Sequence, residues 1–343
     1  MTFTLHVDTA RWRAHLDRVR AETPGLVPVA KGNGYGLGLS RLATEAARLG
    51  VDTLAVGLPE EVSAVRETYD GSVLVLTPYH PQTVDAPADP HVIRTVSHIE
   101  ALRALAGAPR RSRVVVELAT SMRRHGIAER DWPAAAAASA GLTVEGVAVH
   151  LPLASTGTYA EAERLVDGAR GAGLAVPAVW VSHLSPSQVA MLADVLGVPV
   201  RLRTGTRLWL GDRAALQARG TVLDVHELAR GDRYGYRQRR ALAPAYLLVV
   251  SGGTAHGVGL EAPKPVNGMV SRAKAFAAGG LEAAGLALSP FHVAARQRWF
   301  AEPPHMQVSL VLLPRDVPPP AIGAELDCDV RMTISTFDRL TPH

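Results

Sequence analysis

Cysteine is almost absent from this 343-residue sequence, in which Cys328 stands alone. A single cysteine excludes an intramolecular disulfide and any metal site built from several thiolates, and it suits a reducing compartment. The sequence also lacks an apolar run long enough to span a bilayer and an N-terminal stretch that resembles a secretory signal. We therefore expect a cytoplasmic protein with no bound metal and no membrane partner.

Lysine is nearly as scarce. The sequence contains only Lys31, Lys264 and Lys274, and all its other Lys or Arg positions are arginines. A compositional bias of the genome explains the general use of arginine. A lysine retained in a glycine-rich segment, as at Lys31, indicates chemistry that a guanidinium group cannot perform, such as imine formation.

The formal net charge is only +4, so basic residues barely outnumber acidic ones. The sequence has no basic run or aromatic-basic stripe of the kind found in nucleic-acid binding proteins, so we expect small anionic molecules as partners instead. With 47% hydrophobic and 20% charged residues, the chain is typical of a folded protein rather than a disordered one.

Eight short β-branched runs alternate with amphipathic helical stretches between Val27 and Leu210. The strand candidates are Val27–Ala30, Thr53–Val56, Val73–Thr77, Val92–Val96, Val114–Leu118, Val144–Val149, Ala178–Val181 and Val200–Arg203. Eight strands that are each followed by helical sequence predict an α/β fold, a (β/α)8 TIM-like barrel rather than an open sheet.

The pattern changes near Thr221, where turn-rich loops begin to separate strand-like runs. Three strand candidates follow, Ala245–Ser251, Met306–Leu313 and Glu325–Ile334. We predict a barrel domain over residues 1–220 and a mainly β C-terminal domain over residues 221–343. Residues 1–10 alternate like a strand and are candidates for pairing with the β domain.

The segment around Lys31 is the sharpest local signal in the sequence. The apolar strand candidate Val27–Ala30 leads directly into Lys31, and active sites of βα barrels lie at this end of the strands. Glycines at positions 32, 34, 36 and 38 allow the backbone to approach a bulky ligand closely, and Tyr35 places a phenol beside it. The alternative is an ordinary flexible loop between a strand and a helix.

This segment resembles the lysine loop of the alanine racemase family of fold-type III pyridoxal-5′-phosphate (PLP) enzymes, which reads roughly Val-Lys-Ala-Asn-Ala-Tyr-Gly-His-Gly. The resemblance covers nearly the whole chain and is weaker in the β domain. It implies that Lys31 holds PLP as a Schiff base beside Tyr35. It further implies an isomerase of amino-acid metabolism that interconverts the L and D forms of a small amino acid. The expected assembly is a homodimer in which the β domain completes the partner's active site.

Three further motifs occur in family order and assign residues by resemblance. Glu117-Leu-Ala-Thr-Ser-Met-Arg-Arg124-His-Gly is similar to Lys-x-Asp-Thr-Gly-Met-x-Arg-x-Gly, so Arg124 would touch the PLP phenolic oxygen and the substrate carboxylate. His150 matches a histidine that packs against the cofactor ring, and Ser187 matches a donor to the PLP phosphate. Taken alone, Arg124 would be read as surface charge and His150 as a structural residue.

The segment from Arg201 to Gly211 is similar to the family's Val-Arg-Pro-Gly-Ile-x-Leu-Tyr-Gly. By that match the amides of Gly205 and Thr206 would cradle the phosphate, and Arg203 would face the pyridine nitrogen. A guanidinium at that position keeps the nitrogen unprotonated and limits electron withdrawal by the ring, whereas related decarboxylases place an acid there. Arg203 therefore favours racemisation over decarboxylation.

Several positions depart from the family pattern. Glu117 aligns with a frequently carbamylated lysine and is expected to supply a genetically encoded negative partner to Arg124. The family's phosphate-binding tyrosine aligns with Cys328, and its substrate-binding Met-Asp-Gln segment aligns with His305-Met306-Gln307. The catalytic tyrosine motif, Gly-Tyr-Ala-Asp-Gly, is replaced by Ser251-Gly-Gly-Thr-Ala-His256, which has no tyrosine.

Racemisation removes a proton from one face of Cα and returns one on the other, so the loss of one of two bases should cripple inversion. Three readings stay open. His256 or His305 acts as the replacement base, with Met306 beside the substrate; or the chain acts on another substrate or by another reaction, such as aldol cleavage or decarboxylation; or it binds PLP without turnover. We expect slow interconversion of alanine, and the sequence does not identify the preferred amino acid.

Overall fold

The computed structural model describes residues 2–153, 156–260 and 287–342. Within it the chain divides into two units, a barrel unit of residues 13–211 and a β unit of residues 1–12 together with 212–343. The division falls earlier than the expected boundary at residue 220, and the first residues belong to the β unit. Lys264 and Lys274 lie outside the described residues.

The chain opens with β1 (Phe3–Val7) and α1 (Thr9–Glu22) and then enters a closed barrel of eight parallel strands. These strands are β2 (Leu26–Ala30), β3 (Thr53–Val56), β4 (Ser72–Val75), β5 (Val92–Val96), β6 (Arg113–Leu118), β7 (Thr143–Val149), β8 (Val179–Val181) and β9 (Val200–Thr204). The barrel closes because β2 pairs with both β3 and β9. The predicted (β/α)8 barrel is confirmed, and each of the eight strand candidates overlaps a barrel strand.

Helices follow seven of the barrel strands. They are α2 (Leu39–Arg48), α3 (Glu61–Arg66), α4 (Ile99–Ala106), α5 (Trp132–Ala138), α6 (Thr158–Gly171), α7 (Pro186–Leu196) and α8 (Thr206–Leu210). The described connection between β4 and β5 contains no helix, in contrast to the expected regular alternation. Four prolines, at positions 78, 81, 87 and 90, explain the difference, because proline removes a backbone donor and clashes with the preceding helical turn.

Alternate residues of the barrel strands point to opposite sides, so one set fills the barrel and the other packs against the helices. The barrel interior is a cluster of buried side chains: Val27, Val29, Ala55, Leu74, Ile93, Val115, Ala148 and Trp180. This packed interior leaves the C-terminal ends of the strands as the place where polar side chains can gather.

The second unit is built mainly from β-strands, as expected. Its strands are β1, β10 (Leu216–Leu228), β11 (Arg233–Tyr234), β12 (Arg239–Arg240), β13 (Ala245–Ser251), β14 (Leu288–Val293), β15 (Arg296–Phe300), β16 (Val308–Pro314), β17 (Glu325–Asp327) and β18 (Arg339–Pro342). The main sheet has the order β14-β15-β16-β13-β10-β1-β18, and β17 pairs with β10. β1 runs antiparallel to β10, from Phe3 opposite Gly220 to Val7 opposite Leu216.

One strand expectation of the β unit is wrong in extent. The run Glu325–Ile334 forms a strand only over Glu325–Asp327, and a turn in which the Ile334 amide donates to the Arg331 carbonyl (2.9 Å) follows. Apolar and polar residues continue to alternate beyond the end of the strand. Val330 still packs against the core of this unit, which explains why an apolar residue is present there. None of the helices in the described ranges has the length and apolar character required to cross a membrane.

Candidate functional site

Lys31 directly follows β2, at the end of the barrel where the C-termini of all eight strands lie. Its side chain is reached by solvent, yet the pKa of its amine is lowered. Burial by the surrounding protein is the largest cause, and the nearby guanidinium groups of Arg124 and Arg203 add to it, while Glu61 opposes them. A lowered pKa increases the fraction of neutral amine, which is the nucleophilic form.

Glu61, in the first turn of α3, binds the backbone next to Lys31. Its carboxylate accepts hydrogen bonds from the amides of Gly32 (2.7 Å), Gly57 (2.7 Å) and Leu58 (3.0 Å). These bonds join the end of β2 to the end of β3 and place a negative charge beside the Lys31 amine. Glu61 was not singled out from the sequence, although its place just after an apolar strand is a usable signal.

Arg203, in β9, is buried inside the barrel mouth with 6% of its surface exposed. One guanidinium nitrogen, Nη2, donates to the Val149 carbonyl (3.3 Å), and Nε has no partner among the described residues. Burial lowers the pKa of Arg203, Glu117 opposes this shift, and Arg124 adds to it. An unpartnered buried donor is costly, so Arg203 is suited to meet an acceptor of a bound group.

Glu117 does not form the expected ion pair with Arg124 in the described structure. Glu117 lies in β6 with 4% exposure and accepts a hydrogen bond from the Ser97 hydroxyl (3.1 Å). Arg124 lies on the exposed loop that follows β6. The prediction of this pair was wrong: Glu117 is buried in the strand and Arg124 is exposed on the loop, although the charges of both act on Arg203.

His150 follows β7 and is held as a neutral imidazole. Its Nδ1 lies 3.2 Å from the Ser182 hydroxyl, and its ring meets that of His183 edge-on at 5.2 Å. Burial, followed by the charges of Arg203 and Arg124, lowers the pKa of His150 to about 3. A neutral ring beside several cations can pack against an aromatic ligand without adding another positive charge.

Ser187, Gly205 and Thr206 were assigned to the cofactor phosphate, and Tyr35 was placed beside the bound cofactor. Tyr35 is buried, and burial together with Glu61 raises its pKa to about 12. A Cβ on Gly205 would overlap the Tyr35 hydroxyl, so this phenol lies against the residue that precedes α8. Thr206 begins α8, and Ser187 lies exposed in the first turn of α7 with its hydroxyl 2.9 Å from that of Ser185.

The charges at this end of the barrel suit a phosphorylated aromatic aldehyde such as PLP. Lys31, Arg124 and Arg203 are mutually repelling cations, and Glu61 and Glu117 are the carboxylates that act on Lys31 and Arg203. The excess positive charge, the unpartnered Arg203 nitrogen and the close approach at Gly205 all fit an anionic ring compound. No group of three His, Cys, Asp or Glu side chains in the described ranges could hold a metal ion.

His256, one of the two candidate bases, is buried in the β unit with both ring nitrogens engaged. Nδ1 accepts a hydrogen bond from the Gly253 amide (3.2 Å), and Nε2 lies 3.1 Å from Asp338 Oδ1. The ring also packs beside Phe3 at 5.3 Å. These contacts make His256 a residue that shapes the Gly253–His256 turn.

His305, the other candidate base, lies near the surface of the β unit. Its Nε2 is 2.6 Å from Glu302 Oε1, and 22% of its side chain is exposed. The ring of Tyr236 packs against the imidazole at a tilt of 39°, with a centroid separation of 4.4 Å. Met306 follows with 72% of its surface exposed. Neither Glu302 nor Tyr236 was singled out from the sequence, although Glu302 precedes His305 by three residues.

The burial of Glu117 supports a prediction about bicarbonate. Because a carboxylate is already present where the resemblance places a carbamylated lysine, activity and thermal stability should not change when bicarbonate is removed or added. The Glu117→Lys variant should instead gain activity as bicarbonate is raised, since carbamylation would restore a negative group. A strong activation of the unaltered protein by bicarbonate would contradict the role of Glu117.

The neutral state of His150 predicts how stability depends on pH. The unfolded chain binds a proton below about pH 6.5, whereas folded His150 binds one only near pH 3. The unfolded state therefore binds more protons in this window, and the free energy of unfolding falls as the pH is lowered through it. In urea unfolding of cofactor-free protein near pH 7 and near pH 5, His150→Asn should lose less stability on acidification. His226→Asn, which changes an exposed histidine of the β unit, should behave like the parent in this comparison.

Comparisons with known proteins agree with this geometry. A family model described as the alanine racemase N-terminal domain matches residues 7–210, more than half of the chain. An alanine racemase of Corynebacterium efficiens is 27% identical over 283 residues, which cover 75% of this chain and 76% of that protein. One from Mycolicibacterium vanbaalenii is 27% identical over 285 residues, covering 75% and 72%.

Solved structures show the same fold. The crystal structure of alanine racemase from Bartonella henselae with covalently bound pyridoxal phosphate superimposes with a TM-score of 0.71. The superposition covers 96% of this chain and 91% of that chain at 16% sequence identity. At this identity the likeness concerns the architecture, which includes both the barrel and the β unit.

Proposed function

Because this chain belongs to the alanine racemase family, we propose that it is a PLP-dependent amino-acid racemase, an isomerase acting on a small amino acid. The observation that carries the proposal is the placement of Lys31. Its amine has a lowered pKa, stands at the C-terminal mouth of the barrel and is surrounded by cations that suit an anionic cofactor and a carboxylate substrate.

The residues around Lys31 have distinct proposed roles toward the cofactor. Arg203, whose Nε has no partner among the described residues, would face the pyridine nitrogen, and neutral His150 would pack against the ring. The backbone at Gly205 and Thr206, together with the hydroxyls of Tyr35 and Ser187, would bind the phosphate. Their positions after three different strands of one barrel support a common ligand.

Arg124 and Lys31 would act on the amino acid. Arg124 is exposed and acts electrostatically on Lys31, which suits a guanidinium that pairs with the incoming carboxylate. PLP, when bound, supplies electron withdrawal that acidifies the Cα–H bond. Lys31 then removes and returns the proton on one face, because its neutral amine is a competent base.

The opposite face of Cα needs a second proton-transfer group, which we place in the β unit of a second copy of the chain. The proposed assembly is therefore a homodimer with two composite sites. A reducing location such as the cytoplasm suits the lone Cys328, which is buried. Arg203 disfavours decarboxylation or aldol chemistry, since a guanidinium keeps the ring a weak electron acceptor.

The decisive experiment incubates the PLP-loaded protein with a panel of L- and D-amino acids, alanine included, in D₂O. Deuterium incorporation at Cα and chirality are followed together. A racemase should incorporate deuterium and invert at least one small amino acid. Cofactor binding without either reaction would overturn the proposal in favour of a PLP-binding homologue without turnover.

A further inference from the structure

Resting on the proposed function, we propose that His305 is the second proton-transfer group, with Glu302 fixing its tautomer and Tyr236 covering its ring. These three side chains belong to the β unit and lie outside the motifs of the barrel. They form a chain from a buried carboxylate through an imidazole to an exposed phenol.

The ionised form of the Glu302 carboxylate is favoured, although only 3% of the side chain is exposed. Burial alone would raise its pKa, but hydrogen bonds from His305 and from the amides of Tyr236 and Arg237 outweigh burial and lower the pKa. A Cβ on Gly235 would overlap this carboxylate, which explains how the hairpin between β11 and β12 approaches it so closely.

The ionised carboxylate determines which nitrogen of His305 carries the proton. Nε2 lies 2.6 Å from Glu302 Oε1 and must donate to it, because an ionised carboxylate only accepts. Nδ1 has no hydrogen-bond partner among the described residues, so its lone pair is free to accept a proton. A histidine oriented in this way by a carboxylate is a suitable general base near neutral pH.

The presence of a ring nitrogen with a free lone pair distinguishes His305 from His256. His256 accepts at Nδ1 from the Gly253 amide and is held at Nε2 by Asp338, so it has no free lone pair to offer a substrate. It is also the more buried of the two, with 9% of its side chain exposed against 22% for His305.

His305 also lies next to the segment where the sequence lacks a tyrosine. The Thr254 amide donates to the His305 carbonyl (2.8 Å), and the Ala255 amide donates to the Met306 carbonyl (2.9 Å). The backbone of Ser251–His256 and that of His305–Met306 therefore run side by side. The imidazole of His305 therefore takes the place of the tyrosine that is missing from the neighbouring segment. Tyr236, which is 83% exposed, covers one face of this imidazole.

The first test needs neither PLP nor turnover. A photoreactive benzoylphenylalanine is placed at Tyr236 in cofactor-free protein, and crosslinked peptides are identified by mass spectrometry. We expect crosslinks between two chains, to the barrel loops that contain Lys31, Arg124 or His150. The same probe at Tyr234, which packs against the unit's own core, should crosslink within one chain. Crosslinks from position 236 that stay within one chain would overturn the inference.

The second test compares exchange and inversion in the same PLP-loaded protein. His305→Asn should lower inversion, and exchange of one enantiomer, by about 10²–10⁴-fold, while the other enantiomer still exchanges through Lys31. Glu302→Gln should lower inversion without changing the Lys31-dependent exchange, which a general structural defect would reduce as well. Tyr236→Phe keeps the aromatic ring beside His305 and tests whether the phenol itself transfers the proton. The control His226→Asn should invert like the parent.

The outcomes separate the inference from the proposed function. If the parent inverts an amino acid and His305→Asn inverts it equally fast, His305 is not the base, although the racemase assignment stands. If Tyr236→Phe abolishes inversion and His305→Asn does not, the phenol is the base and the assignment is overturned. If the parent shows neither exchange nor inversion, the proposed function fails and the inference fails with it.

Discussion

Lys31→Ala should abolish covalent attachment of PLP and all exchange of Cα–H. The variant loses both the amine that binds the cofactor and the base that serves one face of the substrate, so the loss exceeds the roughly 10²–10⁴-fold expected for a base alone. The measurement is borohydride reduction of PLP-loaded protein followed by peptide mass spectrometry. In the parent, the label should appear on the peptide that contains Lys31, and the visible absorption of the bound cofactor should vanish in the variant.

The chain supplies matched controls for this experiment, because its other lysines are few. Lys264→Ala and Lys274→Ala should retain both the label and the exchange activity. A label found on Lys264 or Lys274 instead of Lys31 would show that the cofactor lysine is misassigned. Because the sequence has only three lysines, the result is unambiguous.

Gly205→Ala should produce the second large effect, a loss of PLP affinity of about tenfold or more. A Cβ at this position overlaps the Tyr35 hydroxyl and comes within 2.6 Å of the ring carbon that carries it. The added methyl group displaces the Tyr35 hydroxyl, which we place on the phosphate. The loss of a hydrogen bond to a charged group costs roughly 1.5–3 kcal/mol, and about 1.4 kcal/mol corresponds to a factor of ten in affinity. Titration of cofactor-free protein with PLP measures the dissociation constant directly.

Gly171→Ala is the control for this substitution. It makes the same chemical change in α6, where an added Cβ meets no heavy atom within 4 Å. Its PLP affinity should equal that of the parent. Adding Tyr35→Phe to Gly205→Ala removes the overlapping hydroxyl and should recover part of the stability, as measured by urea unfolding. Equal PLP affinity of Gly205→Ala and the parent would remove Gly205 and Tyr35 from the phosphate site.

The barrel was predictable from the sequence because local patterns encode it. Short β-branched runs such as Val92–Val96 are too apolar for loops and too short for helices, and their alternation with amphipathic stretches admits few other folds. The limits of local pattern appear in two places. The proline-rich connection after β4 forms no helix in the described structure, and the strand expected over Glu325–Ile334 ends at Asp327.

The candidate site was predictable only where a motif follows a strand end. Lys31 stands out because it ends an apolar run in a glycine-rich segment, whereas His150 and Arg203 were assigned by resemblance to the family. The parallel barrel brings all three strand ends to one rim. Glu61 was missed because a carboxylate that binds backbone amides belongs to no motif, and its position shortly after an apolar strand is the only sequence signal that marks it. The expected Glu117–Arg124 pair failed because spacing along the chain does not tell whether a loop arginine turns inward.

The amino-acid sequence by itself therefore determined the barrel, the lysine that can hold PLP and the absence of a tyrosine from the Ser251–His256 segment. These are properties of local composition and of the order of residues, which can be read from the sequence before the chain folds. The preference that we propose for His305 over His256 rests on the tertiary structure alone. The protonation and freedom of an imidazole depend on which groups surround it. Glu302 precedes His305 by only three residues, but the fold is needed to show that its carboxylate faces that ring and that Asp338 faces His256.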